Sequence, residues 1–70
     1  MTAQEWIAAY AEKLGTAPPT PEQFDAVLGL AGVAAHASER MAAPVACWLA
    51  ATAGVELEEA VRLAREVLSQ

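Results

Sequence analysis

Residues that start and stop helices recur along this chain at short intervals, and they divide it into four segments. Thr2 and Thr20 each stand three residues before a Glu or Gln, the capping-box pattern that begins a helix. Gly15 and Gly54 stand where helices are expected to end, since glycine adopts the left-handed conformation at no steric cost. We therefore predict an all-α fold, a compact bundle of four short helices. The predicted helices lie near residues 3–14, 21–38, 43–53 and 56–69.

Prolines restrict where these helices begin. Pro18 and Pro19 are adjacent and cannot continue a helix, so they are predicted to form a short, stiff connection. Pro44 is predicted to lie in the first turn of the third helix, because a proline deeper inside would break the hydrogen-bond ladder. No segment alternates apolar and polar residues with a period of two, so no strand is expected.

Apolar residues recur at helical spacing in every segment and predict which faces are buried. The third segment carries no charge between Arg40 and Glu56, so most of its circumference is expected to be buried. The aromatic residues are expected to lie mainly in the core. The expected stripes are Trp6, Ile7, Tyr10, Ala11 and Leu14; Phe24, Val27, Leu28, Ala31, Ala34 and Ala35, with Leu30 and Val33 on a second face; Val45, Trp48, Leu49 and Thr52; and Leu57, Ala60, Val61, Ala64, Val67 and Leu68.

The length of 70 residues predicts one helical domain spanning residues 1–70. A chain of this size buries only about 60% of its unfolded surface. Its core rarely supplies more than roughly 3–5 kcal/mol of stability. Cys47 is the sole cysteine, so no disulfide can form within one chain.

The charge balance excludes some classes of partner. Nine acidic residues against four basic ones give a formal net charge of −5, which repels phosphate backbones, so no nucleic-acid binding is expected. The longest uncharged stretch, Met41 to Val55, contains Pro44 and is shorter than the ~20 residues of a membrane-spanning helix. The first residues show no basic run of the kind that begins a signal peptide. A cytoplasmic location without membrane association is the expectation.

Candidate catalytic chemistry is limited to Cys47 and His36, the sole thiol and the sole imidazole. A nucleophilic pair needs hydrogen-bond contact and a third group to orient the base, and the sequence indicates neither that group nor an oxyanion hole. One His and one Cys cannot close a metal site within one chain. We therefore expect no enzyme, no cofactor and no metal, with Cys47 a buried and unreactive thiol. A hydrolase or transferase using this pair is the weakest of three functional hypotheses.

The junction between the second and third helices is the best candidate for a binding site. His36 and Arg40 are four residues apart and are expected on one side of the end of the second helix. Pro44 fixes the start of the third helix, whose first N–H groups lack partners within that helix. Together they would attract a carboxylate or phosphate, or contact a partner. The alternative is that His36 and Arg40 satisfy the last carbonyls of the second helix, or pair with Glu12 or Glu39.

The segment Ala35-His36-Ala37-Ser38-Glu39-Arg40-Met41-Ala42-Ala43-Pro44 resembles a family of small bacterial helical domains of unknown function. The resemblance also covers Trp6-Ile7 to Leu14-Gly15 and the stretch Leu49 to Gly54. Members of that family occur alone or as a C-terminal tail of molybdenum cofactor guanylyltransferases. The resemblance implies an accessory role near molybdenum cofactor maturation, with a cofactor enzyme as protein partner and the nucleotide chemistry residing in that enzyme.

The leading hypothesis from the sequence is thus a non-catalytic helical interaction module, an accessory to molybdenum cofactor biosynthesis. The runner-up is a binder of a small anion or phosphorylated metabolite at the junction formed by His36, Arg40 and Pro44. The pattern leaves the oligomeric state open.

Overall fold

The computed structural model describes residues 1–67, which form four α-helices and no strand. The all-α, four-helix bundle predicted from the sequence is therefore confirmed. The helices are α1 (Ala3–Leu14), α2 (Pro21–Ala37), α3 (Ala42–Ala53) and α4 (Leu57–Glu66). The predicted end of the fourth helix is too late, because Val67 already has extended backbone angles, φ −77° and ψ 126°. Residues 68 and 69, also predicted to be helical, lie outside the described residues.

The predicted caps fix the ends of three helices. The Thr2 hydroxyl accepts a hydrogen bond of 3.1 Å from the Glu5 N–H, while the Glu5 carboxylate accepts one of 2.7 Å from the Thr2 N–H. Thr20 and Gln23 repeat this reciprocal pair at the start of α2, at 3.1 and 2.9 Å. Gly15 and Gly54 close α1 and α3 in the left-handed conformation, with φ values of 79° and 73°. Local chemistry thus divides the chain as the sequence predicts.

Helix α2 is the centre of the bundle. It packs along both α3 and α4, whereas α1 makes few close contacts with any other helix. An open apolar groove between α1 and α2 is lined by Ile7 on one side and by Phe24 on the other, and both side chains are half-buried. Within residues 1–67, the buried apolar positions are Ala11, Leu30 and Ala60. The core is therefore small, and Leu30 is its largest side chain.

The expectation that most of α3 is buried is wrong. Its large apolar side chains face solvent: Val45 is 55% exposed, Trp48 66% and Leu49 55%. Its small residues are the half-buried ones, and they form the face that packs on α2. Those residues are Ala42, Ala43, Ala46, Cys47 and Ala50. Small side chains let two helix axes approach closely, so an interface of alanines can be formed while the bulky residues remain outside.

Several other predicted core positions are also exposed. Trp6, Tyr10 and Leu14 of α1 keep about half of their surface in solvent. In α2 the buried side chain is Leu30, which had been assigned to the second face, whereas Leu28 of the predicted main face is 57% exposed. The remaining predicted core positions that are exposed are Thr52 and Val67. No helix in the described part of the chain combines the length and the apolar character needed to cross a membrane.

Candidate functional site

The junction residues predicted as a site do not share one helix. Helix α2 ends at Ala37, and Ser38 leaves the helical conformation with φ −141° and ψ −98°. Arg40 therefore lies in the connecting turn, where the four-residue helical spacing from His36 no longer applies. Pro44 is the third residue of α3 and lies in its first turn, as predicted. All three residues are exposed.

The first N–H groups of α3 are already engaged in the turn. The Ala42 N–H donates to the Glu39 carbonyl and the Ala43 N–H donates to the Arg40 carbonyl, each at 3.0 Å. The next residue, Pro44, has no N–H group. Anion binding was expected from two sources, the free N–H groups of α3 and the side chains of His36 and Arg40. Since the N–H groups are engaged, this hypothesis depends on the two side chains alone.

Those two side chains have no structural partner in the described residues. The carbonyl of Ala34 is satisfied by Ser38, whose hydroxyl donates a hydrogen bond of 2.9 Å and whose N–H donates one of 3.2 Å. Neither the carbonyl-capping role nor the pairing with Glu12 or Glu39 considered for His36 and Arg40 is seen within residues 1–67. Both cationic side chains are exposed to solvent.

The concave surface nearest this junction does not favour an anion. It is an open hollow of about 460 Å³ whose lining includes the acidic residue Glu39 but neither His36 nor Arg40. Its other lining residues are Ser38, Met41, Ala42 and Val45. Anion binding by His36 and Arg40 stays a prediction that this geometry does not strengthen.

Cys47 and His36 lie far apart. The Cys47 thiol points at α2, with its Sγ 3.9 Å from the carbonyl oxygen of Val27. His36 lies nine residues further along the same helix, about 13 Å along its axis and two and a half turns away. This separation exceeds hydrogen-bond reach, so a thiol–imidazole pair is not assembled. No group of three metal-ligating side chains occurs in residues 1–67 either.

Cys47 is half-buried rather than fully buried, and we expect it to react slowly with thiol reagents. Burial raises the pKa of Cys47 above its ordinary value of 9.0, which lowers the reactive thiolate fraction at neutral pH. The folded chain should be labelled several-fold more slowly than the same chain in denaturant. Equal rates in the two states would contradict the packing of Cys47 against α2. Because the pKa of Cys47 is higher in the folded chain than in the unfolded chain, the thiol does not lower the free energy of unfolding below pH 9. As pH rises above 9, ionisation of the thiol favours the unfolded chain and the free energy of unfolding falls.

A row of exposed apolar side chains follows α1. Trp6, Tyr10 and Leu14 are spaced four residues apart and are 54%, 49% and 61% exposed. The two aromatic rings contact each other with centroids 5.2 Å apart and planes tilted by 32°. We call these three residues the aromatic strip. Lys13 lies beside the strip on the same helix, whereas Glu12 lies on the opposite side of α1.

A second exposed apolar surface covers the outside of α3. Met41, Val45, Trp48 and Leu49 lie along one side of this helix, and we call them the α3 strip. The strip borders a shallow groove between α3 and α4 of about 290 Å³, here called the α3–α4 groove. Every side chain that lines the groove is apolar: Leu30, Ala46, Leu49, Ala50, Ala53, Val55, Ala60, Leu63, Ala64 and Val67.

The chain as a whole has more accessible area than its mass predicts. The accessible surface is 5555 Å², whereas a monomeric protein of 7.3 kDa is expected to expose about 4,200 Å². The surplus is about 1,400 Å² by this scaling. Small proteins rarely expose contiguous apolar patches beyond a few hundred Å² unless these bind something.

Comparison with known protein families identifies the whole chain. The family model described as "Domain of unknown function (DUF6457)" matches residues 1–70. The chain belongs to this family. No curated protein and no solved structure matches it significantly. The resemblance to a small domain of unknown function is thereby confirmed, while a bacterial origin and the link to molybdenum cofactor guanylyltransferases stay predictions.

The sequence pattern predicts burial in the core for both apolar surfaces of this DUF6457 domain. For α3 a signal was present, since five small residues form a continuous helical face of their own opposite the α3 strip. For α1 the signal is weaker. Ile7 and Ala11 lie toward one side of the stripe and are its better-buried members, while Trp6 and Tyr10 lie toward the other side.

Proposed function

We propose that the chain is a non-catalytic helical interaction module that docks onto a protein partner as an accessory to molybdenum cofactor biosynthesis. The observation that carries the proposal is the exposure of bulky apolar side chains at helical spacing on α1 and α3. Such a surface is costly to keep in water, and a partner that covers it recovers that free energy.

The aromatic strip is the surface best suited to a partner that binds and dissociates. Trp and Tyr are the residue types that most often dominate interface energetics, because each buries a large rigid area at little entropic cost. Trp6, Tyr10 and Leu14 present anchors at i, i+4 and i+8, the spacing with which a helix lies in an apolar groove of its partner. The neighbouring Lys13 would form part of the polar rim.

The partner class comes from the resemblance. It implies that related domains occur as tails of molybdenum cofactor guanylyltransferases, so we propose such an enzyme as the partner of this domain. The absence of an assembled Cys47–His36 pair is consistent with this role, since the nucleotide transfer would belong to the partner. His36 and Arg40 are exposed and unpaired within residues 1–67, so they are available as additional polar contacts.

The test is direct titration of a purified molybdenum cofactor guanylyltransferase with the chain by isothermal calorimetry. We expect saturable binding of the wild-type chain and a roughly 30-fold loss of affinity for Trp6→Ala, which corresponds to the ~2 kcal/mol of an aromatic hot spot. Trp48→Ala is the matched control, because it removes an equally exposed tryptophan from a different helix.

Three outcomes separate the parts of this proposal. Absence of binding by the wild-type chain would refute the enzyme as partner. Binding that Trp6→Ala leaves unchanged would move the interface away from the aromatic strip. An equal loss of affinity in Trp6→Ala and Trp48→Ala would show that the aromatic strip contributes no more to enzyme binding than α3 does.

A further inference from the structure

We propose that the chain forms a two-fold symmetric homodimer, in which the α3 strip of each copy packs into the α3–α4 groove of the other. This interface is separate from the aromatic strip and does not depend on the proposed enzyme partner. It would cover the bulky apolar residues that α3 turns away from its own bundle, with Val45, Trp48 and Leu49 as the main contacts.

The chemistry of α3 favours a permanent contact over a transient one. From Met41 to Val55 the chain carries no charged residue, and the groove beside it is lined by apolar side chains throughout. Homodimer interfaces that stay assembled resemble a protein core cut in half and are depleted of charge. The aromatic strip differs in this respect, because the charged residue Lys13 adjoins it on α1.

Charge also favours this face for self-association. Each copy has a net charge of −5, so two copies repel each other wherever their acidic residues approach. On α4 the charges lie outside the groove lining: Arg62 bridges Glu59 at 2.7 Å and Glu66 at 2.5 Å. The α3 strip and the groove thus form a surface on which a second acidic copy can lie without placing like charges in contact.

The accessible area of the chain is large enough to allow for the area that a dimer buries. Stable homodimers bury about 2,000 Å² or more in total, or about 1,000 Å² from each subunit. The surplus of the whole chain over the scaling for monomers, about 1,400 Å², exceeds this share. The α3 strip contributes to the exposed area through Val45, Trp48 and Leu49, each of which is more than half exposed.

The shapes are self-complementary. A two-fold axis brings the same patch of both subunits together, so each patch must offer both a protrusion and a recess. Here the protrusion is the α3 strip, where Trp48 is 66% exposed, and the recess is the adjoining groove of about 290 Å³. Leu49 belongs to both, so the two features are continuous. When the α3 strip of one copy enters the α3–α4 groove of the second, the two-fold axis places the α3 strip of the second copy in the groove of the first.

The experiment is sedimentation equilibrium of the 70-residue chain at micromolar concentration without any enzyme partner. We expect a mass twice the 7.3 kDa of one chain. Val45→Glu places a charge in the centre of the interface and should give a folded monomer, with its helical circular dichroism retained. Trp48→Ala should weaken dimerisation by at least tenfold. Leu14→Glu is the matched control, since Leu14 is 61% exposed on α1 and should leave the dimer intact.

A wild-type chain that sediments as a monomer would overturn the proposal. So would a folded Val45→Glu variant that still dimerises, or a Leu14→Glu variant that alone dissociates, because the interface would then lie on α1. If Val45→Glu loses its helical signal, the test of the proposal is Trp48→Ala, which removes contact area without introducing charge. A Trp48→Ala variant that dimerises as tightly as the wild type would then overturn the proposal. These results are independent of the titration with a guanylyltransferase, so failure of one proposal leaves the other standing.

Discussion

Replacing Leu30 by alanine is expected to remove most of the stability of the fold at 25 °C. Leu30 is 3% exposed and is the largest side chain buried within residues 1–67, on the helix that packs along both α3 and α4. Truncating a buried leucine costs about 2–5 kcal/mol, from lost burial and from the cavity that remains. A domain of this size has roughly 3–5 kcal/mol in total. The measurement is a thermal melt followed by far-ultraviolet circular dichroism, in which the cooperative transition should largely disappear.

Leu28→Ala is the matched control for this substitution. It makes the same chemical change two residues away on the same helix, but at a side chain that is 57% exposed. The loss of stability should be a fraction of that caused by Leu30→Ala, because little buried area is removed. Similar melting curves for the two variants would show that the core is not centred on Leu30.

Enlarging Ala60 to leucine should produce the second-largest effect. Ala60 is 6% exposed and lies where α4 packs on α2. Added methyl groups at such a close contact force the helices apart and cost typically about 1–3 kcal/mol. Each kcal/mol lowers the melting temperature by about 4–8 °C in a domain of this size. Chemical denaturation with the same spectroscopic readout gives the change in unfolding free energy directly.

Ala9→Leu is the control, because Ala9 is exposed in the middle of α1. Its substitution has nearly the same effect on helix propensity without adding volume to the core. Ala9→Leu should leave the midpoint of denaturation almost unchanged. An Ala60→Leu variant as stable as the wild type would mean that the contact between α4 and α2 is looser than the burial of Ala60 indicates.

The helices themselves were predictable because short-range chemistry defines them. Thr2 and Thr20 form the reciprocal capping hydrogen bonds that their spacing from Glu5 and Gln23 predicts. Gly15 adopts the left-handed conformation that ends α1. Each of these signals acts within a few residues, so it can be recognised without knowledge of the tertiary structure.

The buried faces were less predictable, since they depend on contacts between helices. Helix α3 is apolar on every side, so its pattern does not distinguish the side that meets α2 from the side that meets a partner. Choosing the bulkier side put Trp48 in the core, whereas the structure places alanines and Cys47 against α2. A stripe of large residues predicts burial, but burial in an assembly leaves the same pattern as burial within one chain.

The candidate site at the junction failed as a helical argument for a local reason. The Ser38 hydroxyl donates to the Ala34 carbonyl, and the chain leaves the helical conformation at Ser38. Helix α2 therefore ends before Arg40, so His36 and Arg40 do not lie on one side of a helix. The hydrogen bonds of the turn to α3 could not be read from the sequence, because they depend on backbone angles between Glu39 and Ala42 rather than on residue type.

The few close contacts between α1 and the other helices have a consequence for how the chain opens. Amide hydrogens exchange through the least costly opening available, and an element with few tertiary contacts opens before the rest of the molecule. The amides of α1 should therefore exchange faster than those of α2, whose opening requires the contacts with α3 and α4 to break as well. The helix that carries Trp6 and Tyr10 can thus detach and return while Leu30 stays packed, which allows a bound partner to adjust the position of α1 without unfolding the core.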